Sequence, residues 1–331
     1  MKKIMHLILI FIFSIAFLEI IIRVIDKNCY SILPFYFDEN HSSMLKNEEY
    51  CVKYKGHPYA IYKTNKFGIR MNNRNKDFES YSLLIGDSQA LGYGVNFEDH
   101  FLYKYLYYQL NEGLEILAAP HNDLKSIKSF TEQNNFYFFD YSKVYFLINM
   151  GMDIDRYVFG WQKNWNNSNS VFELKLSKIF RIYPYIKNIY LKMKKYHFTF
   201  RPSINPYLDY LTDQESNYLI KSIIENYILF VKENSINNFE FIIIAPAWYI
   251  DKKQIHKYKN YYNEEEFADL VNNYDYYFQS MKTNIKEAKK IFKSNNINIK
   301  IIDNIKSSKD LFLLNNYHLN LIGHDNISNI L

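Results

Sequence analysis

Five short apolar runs divide the chain after residue 80, and none of them alternates cleanly between apolar and polar residues. Strands that are buried on both faces have this pattern, as in a parallel sheet. The runs are Ser82–Gly86, Leu114–Ala119, Val144–Asn149, Phe239–Ala245 and Ile297–Ile302. The segments between these runs are long enough for the crossover helices that parallel strands require.

Three of the remaining segments space their apolar residues as amphipathic helices do: Phe97–Leu110, Ser216–Lys232 and Phe278–Phe292. The repetition of strand and helix predicts an α/β fold, a doubly wound three-layer sandwich with a mostly parallel sheet of about five strands. A chain of 331 residues that is 48% hydrophobic can bury the core that such a sandwich needs.

The N-terminus predicts a membrane anchor. Lys2 and Lys3 precede a mostly apolar stretch, residues 4–25, which Glu19 and Arg23 interrupt. About 20 apolar residues cross a bilayer as a helix, so the stretch is long enough if Glu19 is tolerated near its end. Because no A-x-A cleavage site follows, an uncleaved anchor is favoured, with a cleaved signal peptide as the alternative. The two lysines predict a single-pass protein of the inner (cytoplasmic) membrane whose main domain is extracytoplasmic.

Charge and cysteine content narrow the class of protein. The net charge is +5 without any basic block, which argues against a nucleic-acid partner. Cys29 and Cys51 either pair in an oxidising compartment or stay as two thiols. No cluster of His, Cys, Asp or Glu has the spacing of metal ligands, so neither a metal nor a cofactor is predicted.

The domain organisation follows from these patterns. The anchor, residues 1–25, precedes a connector and lead-in, residues 26–80, and an α/β domain, residues 81–331. Residues 155–215 break the strand–helix rhythm and are interpreted as a partly helical insertion over the carboxyl edge of the sheet, where ligands bind in such folds. The equal alternative is a packed helical lobe with no role in substrate binding.

A Gly-Asp-Ser turn follows the first apolar run, and Ser88 therefore falls at the carboxyl edge of the predicted sheet. A serine there can direct its Oγ into the crevice and offer its backbone N–H to an oxyanion. By itself the tripeptide is commonly just a turn. His318, in NNYHLNLIGH near the C-terminus, is the residue type that activates a nucleophilic serine, although a lone histidine is as readily a packing or surface residue.

Three motifs together resemble the SGNH (GDSL-type) hydrolase superfamily, in its membrane-anchored bacterial form. They are TNKFGIR before the first strand, GDSQALGYGV after it, and HLNLIGH near the C-terminus. The resemblance covers about residues 1–155 and 239–331. It implies that Ser88 is the nucleophile and His318 the base, and that the substrate is an acylated small molecule or glycan of the cell envelope or its exterior.

The chain departs from the family pattern in three places. The block that supplies an oxyanion glycine reads ILAAPHND, in which Pro120 has no N–H to donate. Met152 lies where the family has an asparagine, between Gly151 and Asp153. The aspartate that precedes the family's histidine is absent, because asparagines stand before His318.

Other residues are candidates to replace these groups. The possible oxyanion or orienting residues are Asn122, Asn149, Gly151, Asn315 and Asn316. Asp303, at the end of the last predicted strand, is a remote candidate for a substitute acid, whereas Asp87 is interpreted as a turn-forming residue.

Two functions of different class are therefore expected. The first is a serine esterase or acyltransferase, and the second is a catalytically impaired SGNH fold that binds a glycan or a partner protein. Trp161, Trp165 and Trp248 either stack on sugar rings or belong to the core. A distance beyond about 4 Å between the Ser88 Oγ and both ring nitrogens of His318 would weaken the first function, since that is well outside hydrogen-bond reach.

Overall fold

The structure is a computed structural model. It describes residues 2–25, 35–37, 42–53, 59–72, 78–120, 122–150, 170–180, 182–193, 213–258, 264–305, 310–313 and 318–331.

Ten strands form two sheets within these residues. They are β1 (Phe35–Phe37), β2 (Ser42–Met44), β3 (Glu49–Lys53), β4 (Tyr59–Thr64), β5 (Arg70–Met71), β6 (Tyr81–Gly86), β7 (Gly113–Ala118), β8 (Lys143–Asn149), β9 (Phe239–Ile244) and β10 (Ile299–Ile302). The central sheet has eight strands in the order β10-β9-β8-β6-β7-β5-β4-β3, and β1 pairs with β2 in a separate antiparallel sheet.

Eleven α-helices lie within the described residues. They are α1 (Lys2–Ile25), α2 (Ser88–Leu91), α3 (Phe101–Tyr105), α4 (Leu124–Asn134), α5 (Val171–Ile179), α6 (Tyr183–Met193), α7 (Asp213–Glu233), α8 (Ala247–Ile250), α9 (Glu264–Asn272), α10 (Tyr274–Ser294) and α11 (Leu321–Ser328). A π-helical segment, Leu106–Leu110, extends α3, and short 3-10 segments cover Phe97–Asp99 and Lys252–Tyr258.

The five apolar runs of the sequence form the five parallel strands, β10, β9, β8, β6 and β7. The central strand β6 pairs on both sides, so that Leu84 lies opposite Ile116 on β7 and Tyr145 on β8. Successive residues of β6 are buried on both faces, which explains why the run does not alternate. The predicted mixed α/β fold with a mostly parallel sheet is confirmed.

The sheet contains eight strands instead of about five, because β5, β4 and β3 extend it antiparallel beyond β7. These strands come from residues 26–80, the predicted connector and lead-in, to which no strand was assigned from the sequence. A local signal was present on β4, where Ala60, Tyr62 and Thr64 are buried and their neighbours are more exposed. Such alternation is typical of antiparallel strands with one face toward the core.

Aromatic residues fill the core between the parallel strands and two long helices. The rings of Phe146 on β8 and Phe241 on β9 stack at 5.2 Å. Tyr227 and Phe230 of α7 and Phe292 of α10 contact the same pair of rings. Because β6 pairs in parallel with both β7 and β8, the carboxyl ends of these three strands lie side by side.

The N-terminal helix α1 is long and apolar enough to cross a membrane. Its segment Ile4–Val24 has 21 residues, a mean hydropathy of 2.7 and 0% burial. Apolar side chains that the folded chain leaves uncovered are consistent with a membrane-embedded helix.

Cys51, on β3, is disulfide-bonded. The sequence has one other cysteine, Cys29, which lies outside the described residues.

Candidate active site

Ser88 and His318 are in direct contact although 230 residues separate them. The Ser88 Oγ lies 2.7 Å from the Nε2 of His318. Ser88 is the first residue of α2, directly after β6, and His318 lies shortly before α11. Both residues are nearly buried, with 5% and 6% exposure. The distance is well within hydrogen-bond reach of a nucleophile and its base.

The serine turn is fixed by Asp87, which caps α2. Its Oδ1 accepts a hydrogen bond from the Gln89 N–H at 2.8 Å, and its Oδ2 accepts one from the Asn149 Nδ2 at 2.9 Å. Because an Asp at the N-cap satisfies an N–H that the helix leaves open, the chain turns sharply from strand into helix at Ser88. Asp87 thus has the turn-forming contacts that the sequence analysis gave it.

Arg70 fixes the loop that follows Ser88. Its Nη1 donates to the carbonyl oxygens of Leu91 and Gly92, and its Nη2 donates to that of Val95 at 2.7 Å. The guanidinium carbon lies 4.0 Å from the ring centre of Tyr62. Burial lowers the pKa of Arg70 to about 10, so the side chain is still charged at neutral pH. The motif TNKFGIR contains this arginine, but no role for it was predicted from the sequence.

Gly92 ends α2 in a conformation that only glycine adopts without strain. Its φ is +70°, and a Cβ at this position would come within 2.5 Å of the His100 ring. The His100 Nε2 lies 2.8 Å from the Ala90 carbonyl, and its Nδ1 accepts from the Leu102 N–H. The short helix and its exit are therefore packed against a buried histidine.

Asn320 fixes the segment that carries His318. Its Nδ2 donates to the carbonyls of Asp310 at 2.8 Å and Phe312 at 2.9 Å, and its Oδ1 accepts from the Gly323 N–H at 3.0 Å. The last contact makes Asn320 the N-cap of α11. The Leu313 N–H also donates to the His318 carbonyl at 2.8 Å.

The end of the HLNLIGH motif joins this segment to the helix after the serine loop. A Cβ on Gly323 would lie 2.3 Å from the Leu311 carbonyl oxygen, so the close approach requires glycine. The Nδ1 of buried His324 accepts from the Phe101 N–H on α3 at 3.0 Å. His324 therefore links the two parts of the chain that bring Ser88 and His318 together.

The environment of His318 keeps its imidazole neutral. Burial lowers the pKa of His318 to about 4, while the negative charge of Asp87 acts in the opposite direction. The ring stacks on Tyr93 at 4.6 Å. A neutral imidazole can accept the proton of the Ser88 hydroxyl at neutral pH. Tyr93 belongs to the motif GDSQALGYGV, but it was not predicted from the sequence to be a site residue.

The two asparagines offered as oxyanion donors make other contacts. Asn122 accepts from the backbone N–H of Ser42 at 3.1 Å and donates to its carbonyl at 3.3 Å, so it ties β2 to the end of β7. Asn149 donates to Asp87, as described above. Both side chains lie at the carboxyl edge of the sheet and stabilise its loops.

The other residues predicted for the site lie elsewhere in the chain or outside the described residues. Gly151, Asn315, Asn316, Trp161 and Trp165 lie outside the described residues. Burial raises the pKa of the Tyr249 phenol, and the nearby charge of Asp303 raises it further. Trp248 has 0% exposure and packs near Tyr274, as a core residue does.

Among the described residues, no group of three or more His, Cys, Asp or Glu side chains is arranged to bind a metal ion. A cavity of about 600 Å³ lies at the antiparallel side of the sheet, lined by residues that include Thr64, Glu115 and Tyr141. Neither Ser88 nor His318 lines that cavity.

Comparison with protein-family models found no match, and neither did comparison with curated proteins.

Proposed function

We propose that the chain is a membrane-anchored serine esterase or O-acyltransferase of the SGNH type, acting on acyl esters of envelope or extracellular glycans. The observation that carries the proposal is the 2.7 Å contact between the Ser88 Oγ and the His318 Nε2. The pair lies at the carboxyl edge of a mostly parallel sheet, where α/β folds bind ligands. The family and the class of substrate come from the motif resemblance.

In the proposed reaction, His318 Nε2 takes the proton of the Ser88 hydroxyl while Oγ attacks the acyl carbonyl. Collapse of the tetrahedral intermediate breaks the ester bond, and the protonated imidazole gives its proton to the departing alcohol. Water or a sugar hydroxyl then attacks the acyl-serine, with His318 again as base, and releases the acid or the new ester. The imidazole is neutral at neutral pH and so is available to accept the proton, whereas its burial disfavours the imidazolium that forms and the negative charge of Asp87 favours it.

The doubly wound arrangement is part of the same proposal. Successive residues of a strand point to opposite faces of the sheet. Phe146 of β8 contacts α7, whereas the phenol of its neighbour Tyr145 is near enough to Tyr105 on α3 for the two to interact electrostatically. Helices against both faces support the topology of this family.

The proposed location is the inner membrane, with the main domain on the extracytoplasmic side. Helix α1 has the length and hydropathy of a membrane span. The Lys2–Lys3 pair before it favours a cytoplasmic N-terminus.

A second candidate function, a binding module without catalysis, is favoured by the contacts around the site. Pro120 has no N–H, and the amides of Asn122 and Asn149 donate to Ser42 and Asp87. Losing one oxyanion donor costs about 2.7–4 kcal/mol of barrier in serine hydrolases. A glycan-binding or protein-binding role would leave the Ser88–His318 pair as a structural contact.

The experiment is labelling of the full-length chain in detergent with a fluorophosphonate probe, which reacts with activated serines. The test variants are Ser88→Ala and His318→Ala. The matched controls are Ser294→Ala, at the exposed end of α10, and His256→Ala, at an exposed position.

We expect the wild-type chain and both controls to be labelled and both test variants to be unlabelled. No labelling of a folded wild-type chain would contradict the esterase and leave the binding module. Labelling that persists in Ser88→Ala would place the reactive serine elsewhere.

A further inference from the structure

The turn between α5 and α6 is attached to the end of the membrane helix α1. The Glu19 Oε2 accepts from the Ile182 N–H at 2.8 Å, and Arg23 donates both to the Glu19 Oε1 at 2.7 Å and to the Ile179 carbonyl. Glu19 and Arg23 lie in the last six residues of the segment Ile4–Val24. At a rise of about 1.5 Å per residue, Glu19 lies about 8 Å along the helix axis from the end of the segment, so its hydrogen bond to Ile182 holds the turn near that end.

Side-chain hydrogen bonds join the two helices of the hairpin α5–α6. Ser170 and Glu173 form a capping box at the start of α5. The same Glu173 accepts from the Tyr183 hydroxyl at 2.7 Å and from the Lys187 ammonium at 2.9 Å, both on α6. Burial raises the pKa of Glu173, but these hydrogen bonds and the Lys187 charge together outweigh it and lower the pKa to about 2, so the carboxylate is ionised and paired at neutral pH.

Each helix of the hairpin has an exposed apolar face. On α5 the buried side is formed by Leu174 and Ser177, and the opposite side exposes Phe172 and Ile179 at a spacing of seven residues. Lys175 is exposed on that same side. A lysine beside such a face can lay its stem along it and keep the ammonium in the polar headgroup region.

The face of α6 is of the same kind. Its exposed residues are Tyr185, Ile186, Ile189 and Tyr190, which follow the i, i+3, i+4 spacing of one helix side. Exposed apolar surface of this extent, on two connected helices, marks an interaction site. Tyrosine is typical of membrane–water interfaces, because its ring is apolar and its hydroxyl is polar.

The hairpin is also on the side of the molecule that holds the candidate site. Helix α5 packs against β1, β1 pairs with β2, and Ser42 of β2 is bound by Asn122 at the end of β7. The hairpin therefore lies toward the carboxyl edge of the sheet, where Ser88 and His318 meet.

We propose that the α5–α6 hairpin lies in the interface of the bilayer that α1 crosses, with its apolar face toward the acyl chains. The occupant is a lipid surface instead of a second protein, because the hairpin is continuous with α1 at the boundary of the span. Two attachments to one membrane fix the orientation of the domain, with the carboxyl edge of the sheet facing the lipid. The inference rests on the anchor in the proposed function and is independent of catalysis.

The test measures membrane depth at matched phenylalanines of the full-length chain. Phe13 of α1, Phe172 of α5 and Phe139 are exposed to 71%, 71% and 79%. Phe139 lies just before β8, at the amino edge of the sheet and so on the side opposite the site. Each is changed to cysteine, and Ile189→Cys adds a position on α6. The wild-type chain gives the background labelling.

The variants are labelled with a thiol-reactive nitrobenzoxadiazole dye and reconstituted into vesicles of phosphatidylethanolamine and phosphatidylglycerol. Lipids carrying a nitroxide near the headgroup or deep in the acyl chain then quench the dye. Interfacial helices bury their apolar face by about 5–10 Å, so the shallow nitroxide should quench the dye at Phe172→Cys and Ile189→Cys several-fold more than the deep one. The deep nitroxide should dominate at Phe13→Cys, and neither should quench Phe139→Cys.

Quenching at Phe13→Cys without quenching at Phe172→Cys and Ile189→Cys would overturn the hairpin proposal. High dye emission at the hairpin that no lipid nitroxide quenches would overturn it too, by showing that protein covers the face. If Phe13→Cys is itself unquenched, the anchor is wrong and both membrane claims fail. Fluorophosphonate labelling of the same samples reports separately on the esterase.

Discussion

Two parts of the chain meet at the candidate site but are fixed in different ways. They are the serine loop, residues 87–95, and the histidine segment, residues 310–313 and 318–324. The serine loop depends on Arg70, whose carbonyl acceptors lie 21 to 25 residues away on the chain. The histidine segment depends on Asn320, whose carbonyl acceptors are 8 and 10 residues away. One part of the site therefore requires the assembled sheet, whereas the other is fixed largely by local contacts.

This difference has a physical cause. Three carbonyls of a tight loop point inward, and a guanidinium offers enough donors in a fixed fork to satisfy all of them. The donor must come from outside the loop, and β5 brings it from the antiparallel part of the sheet. In the histidine segment one amide binds both carbonyls and also caps α11, because the helix begins at the same residue.

The largest effect is expected from Arg70→Met, which removes the guanidinium donor from the buried carbonyls of Leu91 and Val95, whereas the Gly92 carbonyl keeps the Tyr62 hydroxyl. Each buried acceptor without a partner costs about 1–3 kcal/mol, so the free energy of unfolding should fall by roughly 3 kcal/mol or more. Fluorophosphonate labelling should be lost in the fraction that stays folded. Thermal unfolding followed by circular dichroism measures the first quantity and gel fluorescence the second.

Arg70→Lys is the control for charge, since one ammonium cannot match the fork of the guanidinium. It should be intermediate in both measurements. Wild-type labelling in Arg70→Met would show that the conformation of the serine loop does not depend on the hydrogen bonds from Arg70.

A smaller effect is expected from Asn320→Ala, which removes an N-cap worth about 1 kcal/mol together with two donated hydrogen bonds. We expect a loss of about 2 kcal/mol in the free energy of unfolding and a reduced labelling rate. Asn320→Asp keeps the acceptor for the Gly323 N–H but has no amide donor, so it should lie between Ala and wild type. A loss as large as that of Arg70→Met would break the distinction between the two parts of the site.

The next effect is acid destabilisation, to which three buried histidines contribute: His100, which packs against the serine loop, and His318 and His324 of the histidine segment. Burial lowers the pKa of His100 to about 3 and lowers that of His324 well below its ordinary value. Below about pH 6.5 these imidazoles are protonated in the unfolded chain but stay neutral in the folded one. The free energy of unfolding is therefore highest above that pH and falls as the pH drops below it. The slope is roughly 1.4 kcal/mol per pH unit for each histidine.

Chemical denaturation at a series of pH values measures this slope. His324→Asn keeps an acceptor for the Phe101 N–H and removes one titrating group, so its slope should be shallower than that of the wild type. An unchanged slope would show that His324 does not contribute.

The smallest effect is expected in the pH dependence of labelling. Labelling requires neutral His318, and its pKa of about 4 keeps it neutral well below the ordinary histidine range. The rate should change little between about pH 7 and about pH 5 and should fall as the pH drops through about 4. A midpoint near 6.5 would contradict the burial of His318 against the serine loop.

Much of the fold was predictable because it is encoded locally. The five parallel strands appear as apolar runs, and α7 and α10 as amphipathic spacing. The strands before residue 80 were missed, although β4 alternates, because they are short and border unpatterned segments. Their place beside β7 depends on backbone pairing with a strand more than forty residues away, which no local pattern encodes.

By itself the sequence determined the mostly parallel α/β core, the apolar N-terminal helix, and Ser88 and His318 as candidates. Local periodicity and turn chemistry are enough for these features. Only the tertiary structure decided that the two side chains lie 2.7 Å apart, that Arg70 clamps the serine loop, and that Asn122 and Asn149 bind loops. These are hydrogen bonds between residues far apart along the chain, and the partner that a buried polar group finds depends on the packing of the whole sheet.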